Sequence, residues 1–269
     1  MICGTWEQSM GYTEYKDVNE VLHSLTEGMI RVLGDNIVGV YLTGSLSYGD
    51  FNPDSSDIDL VAILLHPASS YMLKALKELH QEVEAKHMNW FKRIECSYVP
   101  LDMMKSIDPP KAPRPYVGEG IFYPEAPYGN EWIINQYLLY QHGITLVGSD
   151  FKTLVKPIDI LDVRKACIRD LYEEWQPKIN DPIYLQNSHY QSYIVLNLCR
   201  ILYTVIRKAT ASKKVSAAWV MSEFPNWNNL ILAAENWHYG VELYLQDEVI
   251  EFIKFAVNKV NEAQLSASQ

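Results

Sequence analysis

The chain has 269 residues, of which 48% are hydrophobic, and a formal net charge of −10 from 23 basic and 33 acidic side chains. A chain of this length can bury a large core and divide into two domains. Its negative charge repels polyanions, so we expect no nucleic acid partner. No apolar run is long enough to span a bilayer, and the amino end lacks a basic stretch followed by an apolar one. We therefore expect a cytoplasmic protein with no membrane partner.

The cysteines and histidines give no metal-binding spacing. Three of the four cysteines fall in apolar segments, which predicts reduced, buried thiols rather than a zinc site or disulfides. None of the seven histidines is paired at a ligand spacing, so none is assigned as a ligand. The cysteines are Cys3, Cys96, Cys167 and Cys199.

The first hundred residues alternate between helical and strand patterns. Apolar residues at helical spacing predict helices over 17–33 and 71–86. β-branched and apolar runs predict strands over 37–42, 58–64 and 93–99. These elements predict a compact α/β unit, with the first domain over 1–106.

The segment after this unit is rich in proline. Four prolines and few apolar residues between 107 and 115 argue against a helix or an inner strand. We expect 107–130 to be a rigid linker or active-site loop. The remainder, 131–269, is predicted to be helical, so the expected fold is α+β: a mixed sheet with flanking helices followed by an all-α bundle. The predicted helices span 131–142, 160–175, 190–207, 213–222, 226–237 and 247–260.

A short motif between the first two strands is the main chemical signal. Gly44-Ser45 follows the first strand, and Asp57-Ile58-Asp59 opens the second. Strand side chains alternate, so the two aspartates point to one side and repel each other unless a cation lies between them. Carboxylates on a strand suit Mg²⁺, and the backbone and hydroxyl of a Gly-Ser turn suit phosphate oxygens. The alternative is a surface hairpin with solvated aspartates.

Glu95 is the candidate for a third acid. Phosphoryl chemistry with two metal ions needs a further carboxylate to bind an ion or to accept the nucleophile's proton. Glu95 alternates with Ile94 and Cys96 in the third predicted strand. The alternative is an ordinary glutamate on an edge strand.

These motifs resemble the DNA polymerase β-like nucleotidyltransferase superfamily, whose signature is Gly-Ser, a spacer and Asp-x-Asp opening a strand. Further blocks are similar to the aminoglycoside adenylyltransferases of the streptomycin and spectinomycin group. Together these matches extend over roughly residues 37–240. Several matches in the same order are much less likely to arise by chance than a single motif. The blocks are Gln141–Gly148, Val195–Tyr203, Ser212-Lys213 with Ala217-Ala218-Trp219, and Ile231–Ala234.

The resemblance implies a catalytic set and a nucleotide donor. Asp57, Asp59 and Glu95 would hold Mg²⁺, with two ions expected, and Glu95 would take the proton from the acceptor hydroxyl. ATP would be the co-substrate. The implied N-terminal fold is the nucleotidyltransferase-type mixed sheet.

The resemblance also implies nucleotide contacts. Gly44 and Ser45 would bind the phosphates, and Lys213 would reach the triphosphate from the helical domain. Tyr239 would lie near the nucleotide, or His238 if the match is shifted by one residue. The alternatives are a solvated lysine at a helix start and a tyrosine packed in the core.

The implied reaction is transfer of AMP from ATP to a hydroxyl of a small cationic aminocyclitol, with release of pyrophosphate. Two departures from the streptomycin-accepting pattern, at Gly118–Ile121 and His189–Ser192, disfavour streptomycin itself. They leave spectinomycin, another aminocyclitol or an unrelated hydroxyl compound open. An alternative is a protein of this fold that modifies another protein. We expect a monomer with its cleft between the two parts.

Overall fold

The computed structural model describes residues 11–181 and 183–266, so Cys3 lies outside the described residues. Within those ranges the chain forms a six-stranded sheet and nine α-helices. The strands are β1 (Ile37–Thr43), β2 (Ile58–Leu64), β3 (Ile94–Pro100), β4 (Arg114–Gly118), β5 (Ile121–Ala126) and β6 (Ile144–Gly148). The helices are α1 (Lys16–Leu33), α2 (Gly44–Tyr48), α3 (Ser70–Lys86), α4 (Glu131–His142), α5 (Ile160–Asp170), α6 (Ser188–Arg207), α7 (Lys213–Glu223), α8 (Asn228–Glu235) and α9 (Gln246–Leu265).

The sheet is mixed, as predicted, with strand order β5-β4-β3-β2-β1-β6. β2 and β3 are parallel because α3 connects them across the sheet, and the other neighbouring strands are antiparallel. This order places β2 and β3, the strands that bear the predicted acids, at the centre of the sheet.

Each face of the sheet has its own core. On one face, alternate residues of β2 and β3, such as Leu60 and Cys96, pack against α1 and α3. On the other face, Ile63 and Val99 pack with Trp132 of α4. Because strand side chains alternate, the acids must lie on the α4 face.

Helices α5 to α9 form a separate core around α6. Val195, Leu198 and Leu202 of α6 are buried against Phe252 and Ile253 of α9. The expected mixed sheet followed by a helical bundle is confirmed as a fold class. The three buried cysteines within the described ranges, Cys96, Cys167 and Cys199, are free thiols, as predicted.

The proline-rich segment contains a strand that the sequence rule excluded. Arg114 and Pro115 belong to β4, which is an inner strand between β3 and β5. The ladder to β5 shifts register between Arg114 and Tyr116, so Pro115 lies at an irregularity where no ladder hydrogen bond is required. The expectation that 107–115 contains no inner strand was therefore wrong for Arg114 and Pro115.

The sheet also extends past the expected boundary at residue 131. Strand β6 pairs with β1, and α4 packs on the sheet through Trp132 and Leu139. An apolar face on α4 matches the open face of β1–β3, which is why these elements join the sheet. The domain limits 1–106, 107–130 and 131–269 stay a prediction, and the helical core begins only at α5.

The other helices lie close to their predicted positions. The predicted helix over 160–175 is α5 followed by one π-helical turn, Leu171–Trp175. None of the helices in the described ranges combines the length and apolar character that crossing a bilayer requires.

Candidate active site

The three predicted acids lie on one face of the sheet. Asp57 precedes β2, Asp59 is the second residue of β2, and Glu95 is the second residue of β3. β2 and β3 run parallel, and Asp59 pairs in register with Glu95. In-register residues of neighbouring strands point to the same side. The side chains of Asp59 and Glu95 therefore lie next to each other, away from α1 and α3.

Burial makes these carboxyl groups hard to ionise. Burial holds the pKa of Asp59 well above its usual range, and the negative charges of Glu95 and Asp57 raise it further. Burial raises the pKa of Glu95 to about 7, with Asp57 adding to the effect. Burial also raises the pKa of Asp57, although the Arg93 guanidinium opposes this. A cation among the carboxylates would lower all three pKa values.

The carboxylates fit a magnesium ion by their chemistry. Mg²⁺ takes oxygen ligands and is usually held by one or two carboxylates together with substrate phosphates. Across residues 11–181 and 183–266, no group of three or more His, Cys, Asp or Glu side chains could hold a metal ion by itself. The predicted metal set of Asp57, Asp59 and Glu95 stays a prediction.

Helix α2 brings Gly44 and Ser45 beside the acids. The predicted turn is a five-residue helix, and Gly44 has a φ of +63° at its start. A Cβ atom at Gly44 would lie 1.9 Å from Oδ2 of Asp59, so a side chain is excluded there. Ser45 lines the same cleft as Asp59. In the folded motif, the backbone at Gly44 therefore lies close to the Asp59 carboxylate.

Two basic residues from the helical part face the acids. Lys213 is the first residue of α7, where Ser212 caps the helix by accepting from the Val215 amide at 3.2 Å. Burial and the nearby Arg200 lower the pKa of Lys213, whereas Asp59, Asp57 and Glu95 raise it. The Lys213 ammonium lies 4.9 Å from the centre of the Tyr193 ring. Lys213 is therefore a partly buried cation of the site and not a solvated surface lysine.

A large cleft separates the acid-bearing face of the sheet from the helical part. Its volume is about 1310 Å³. Gly44, Ser45, all three acids and Lys213 line it, and Tyr239 does not. The structure thus brings six of the seven predicted site residues to one cavity.

Tyr239 touches the site from its edge. The Tyr239 hydroxyl donates to Oδ1 of Asp57 at 3.4 Å, and its side chain is 43% exposed overall. This position connects the helical part to the start of β2. The alternative, in which Tyr239 is packed in the core, does not agree with this exposure.

His189 lines the cleft, although sequence analysis assigned no histidine as a metal ligand and named only His238 as a possible neighbour of the nucleotide. His189 is stacked on Trp237, with ring centroids 5.1 Å apart and an interplanar angle of 18°. Burial lowers the pKa of His189, and Asp57 and Glu119 raise it. His189 lies in the first turn of α6, one residue before the predicted helix start at 190, and neither this place nor its proximity to Asp57 was predicted from sequence.

A second hydrogen bond joins the two sides of the cleft. The hydroxyl of Tyr190, in α6, donates to Oε1 of Glu119 at 3.1 Å. Glu119 lies in the turn between β4 and β5 with a φ of +53°, a conformation that is uncommon without glycine. Both residues fall in the segments where the sequence departs from the streptomycin-accepting pattern, and both line the cleft.

Three further basic or aromatic residues were missed by sequence analysis. Arg200 projects into the cleft from the block Val195–Tyr203, so the block itself was the available signal. Tyr116 lines the cleft beside Glu95 and lowers its pKa. Arg93 forms an ion pair with Asp57, with 3.7 Å between Nε and Oδ1. For Tyr116 and Arg93 the sequence gives no such signal.

A mixed sheet whose central strands present buried carboxylates to cations of a helical part defines a nucleotidyltransferase. Residues 29–110 match the family model of the nucleotidyltransferase domain. Residues 153–260 match that of the aminoglycoside adenylyltransferase C-terminal domain, and the two ranges cover more than half of the chain. The chain belongs to the aminoglycoside adenylyltransferase family.

Two relatives are similar over most of the chain. The spectinomycin 9-adenylyltransferase of Campylobacter jejuni is 26% identical over 224 residues, which are 78% of this chain and 79% of that protein. The crystal structure of a spectinomycin adenyltransferase from Enterococcus faecialis with ATP and spectinomycin superposes with a TM-score of 0.72 at 18% identity. That superposition covers 90% of this chain and 98% of the other, and at this identity it demonstrates the shared fold.

Proposed function

We propose that the protein transfers AMP from ATP to a hydroxyl group of spectinomycin or a closely related aminocyclitol, with release of pyrophosphate. The observation that supports this most is the register of Asp59 with Glu95 on the wall of a cleft whose opposite wall contains Lys213. Two carboxylates and a cation so arranged suit phosphoryl transfer, in which the protein supplies position and charge rather than a covalent intermediate. The relatives named above support the choice of ATP and spectinomycin.

Each predicted residue has a role that its surroundings support. Asp57 and Asp59 would hold Mg²⁺, which when bound neutralises charge that develops on the phosphate oxygens. Ser45 would bind phosphate oxygens beside the Gly44 backbone. Lys213 would bind the triphosphate from the opposite wall as a cation.

Glu95 is the proposed general base. A base must lie next to the proton that it removes, and its pKa should be near the working pH. Burial raises the pKa of Glu95 to about 7, which meets the second condition. Its place beside Asp59 meets the first if the acceptor hydroxyl approaches the α-phosphorus from the β3 side. We propose that the acceptor therefore occupies the part of the cleft beyond β3.

Charge supports a cationic acceptor. The lining of the cleft includes acidic side chains from both walls. With a net charge of −10, the whole chain attracts small cations and repels polyanions. Besides Asp57, Asp59 and Glu95, the acidic residues that line the cleft are Asp50, Glu119, Glu131, Asp170, Glu173, Glu174 and Glu235.

The test is an acceptor panel with a matched inactive variant. Purified protein with ATP and Mg²⁺ would be incubated with spectinomycin, streptomycin, a neutral sugar alcohol or no acceptor. Pyrophosphate release and the mass of the acceptor would both be followed. We expect release and an AMP adduct with spectinomycin, none with streptomycin, and neither with Glu95→Gln. Labelling of a protein in a cell extract without any small-molecule adduct would contradict the proposal and favour protein modification.

A further inference from the structure

Arg93 lies between two aromatic rings at the edge of the cleft. Its guanidinium carbon is 4.7 Å from the centre of the Trp90 ring and 5.2 Å from that of Tyr239. The same group donates to the carbonyl oxygen of Ser56. Its side chain is only 13% exposed. The stacked guanidinium is thus fixed from both sides, by a residue of the sheet part and by a residue of the helical part.

Arg93 and Tyr239 act on the same oxygen of Asp57. The Nε of Arg93 is 3.7 Å from Oδ1 of Asp57, and the Tyr239 hydroxyl donates to that oxygen at 3.4 Å. The Nε of Arg93 is buried and has no hydrogen-bond partner among the described residues. Its interaction with Oδ1 of Asp57 is therefore an ion pair without a hydrogen bond. The other oxygen, Oδ2, accepts no hydrogen bond from the described part of the chain. The carboxylate is thus held by one oxygen while Asp57 lines the cleft.

We propose that Arg93 is a positioning residue that fixes the orientation of the Asp57 carboxylate and, through Tyr239, sets the helical part against the start of β2. This role rests on the proposed function, since it assigns Arg93 to the nucleotide side of that site. Arg93 itself does not line the cleft together with Asp57, and it acts on the nucleotide through Asp57.

The chemistry of this position requires arginine. A planar guanidinium can stack between two rings while one edge faces a carboxylate and the other a carbonyl. A lysine ammonium supplies the charge and N–H donors but not the planar group that stacks between the rings. An apolar side chain fills the space between the rings and leaves Asp57 with Tyr239 alone. A comparison of arginine, lysine and an apolar side chain at position 93 therefore separates the effects of charge, stacking and volume.

The experiment compares Arg93→Met, Arg93→Lys and a matched control. Arg164→Met is the control because Arg164 donates to the Val205 carbonyl at 2.9 Å inside the helical part. We expect Arg93→Met to weaken the affinity for ATP with Mg²⁺ and to reduce kcat/KM for ATP by about 10–100-fold, as for partners that orient a ligating group. Arg93→Lys should recover part of this loss. Arg164→Met should lower the melting temperature without changing either quantity.

A double variant tests the shared oxygen. Tyr239→Phe keeps the ring over Arg93 and removes the hydroxyl, so Arg93→Met and Tyr239→Phe should not be additive in ATP affinity. The KM for the acceptor should change less than the KM for ATP in each variant. If Arg93→Met does not fold, the lysine and phenylalanine variants still test the coupling.

Two results would overturn the inference. One is ATP affinity in Arg93→Met equal to that of the wild type. The other is an equal loss of ATP affinity in Arg93→Met and Arg164→Met when both variants lose the same amount of melting temperature. That result would indicate a purely structural role for Arg93. Equilibrium dialysis of ATP requires no turnover, so it tests Arg93 even if no acceptor reacts. Absence of turnover by the wild-type protein would contradict the proposed function alone.

Discussion

Glu95 and Asp59 adjoin each other, yet their replacement should have different effects. Glu95→Gln removes the base but keeps the shape, so we expect kcat to fall by about 10²–10⁴-fold, typical of general-base removal. ATP affinity should stay close to that of the wild type. Asp59→Asn should lower ATP affinity in the presence of Mg²⁺ as well as kcat. Steady-state kinetics with equilibrium dialysis checks both, and turnover by Glu95→Gln near the wild-type rate would exclude Glu95 as the base.

The raised pKa of Glu95 gives the reaction a pH dependence. A base works in its ionised form, and burial raises the pKa of Glu95 to about 7. As pH falls through this value the carboxylate is protonated, so kcat/KM for the acceptor should fall on the acidic side and reach a plateau on the alkaline side. Bound cations would lower the pKa of Glu95, so they would move this acidic limb of the pH profile to lower pH. The pH profile of the wild type checks it, and an unchanged limb in Glu95→Gln would show that another group titrates.

At the scale of elements, the start of α6 offers a stability prediction. Oδ1 of Asn187 accepts from the amides of His189 at 2.9 Å and Tyr190 at 3.3 Å, which caps the helix. Asn187→Ala should lower the free energy of unfolding by about 1 kcal/mol, and Asn187→Asp should keep most of it because aspartate also caps. Urea denaturation measures both. An equal loss in the two variants would show that the cap does not stabilise α6.

Local pattern accounts for the elements that were predicted well. The apolar spacing of α4 and the glycine after it are features of adjacent residues, and α4 begins and ends where they predict. The acids were found for the same reason, because alternation along a strand fixes which side Asp57 and Asp59 face. In both cases the information lies within a few residues of the structure that it specifies.

Long-range pairing accounts for what was missed. Local rules exclude Pro115 from an inner strand, but β4 accommodates it at a register shift that depends on β5. The contact between Tyr239 and Asp57 joins residues that are 182 positions apart, and nothing near either residue indicates it. His189 approaches Asp57 only because the start of α6 borders the same cleft as the start of β2. Such contacts follow from how the two parts meet, which a single sequence does not specify locally.

For the whole molecule, the location of the cleft follows from how the sheet face is covered. α4 covers the part of this face that contains Ile63 and Val99. The part that contains Asp59 and Glu95 faces the helical part instead, which contributes Lys213 and Arg200 to the same cavity. Polar residues on a central strand are tolerated because they border a cleft rather than a packed core. The active site is therefore a property of two parts of one chain, and we propose that a monomer suffices.

The size and chemistry of the cleft predict the kinetic order. A volume of about 1310 Å³ exceeds that of a typical single-ligand pocket, so a nucleotide and an acceptor can be bound together. Within the described residues, the Ser47 hydroxyl donates to the Gly44 carbonyl at 2.8 Å, and neither Ser45 nor Ser47 is hydrogen-bonded to a histidine that could act as a base for a covalent intermediate. Transfer should then require a ternary complex, and initial-rate lines at several ATP concentrations should intersect when acceptor is varied. Parallel lines, or an AMP–protein adduct formed without acceptor, would show instead that the chain is adenylylated before the acceptor reacts.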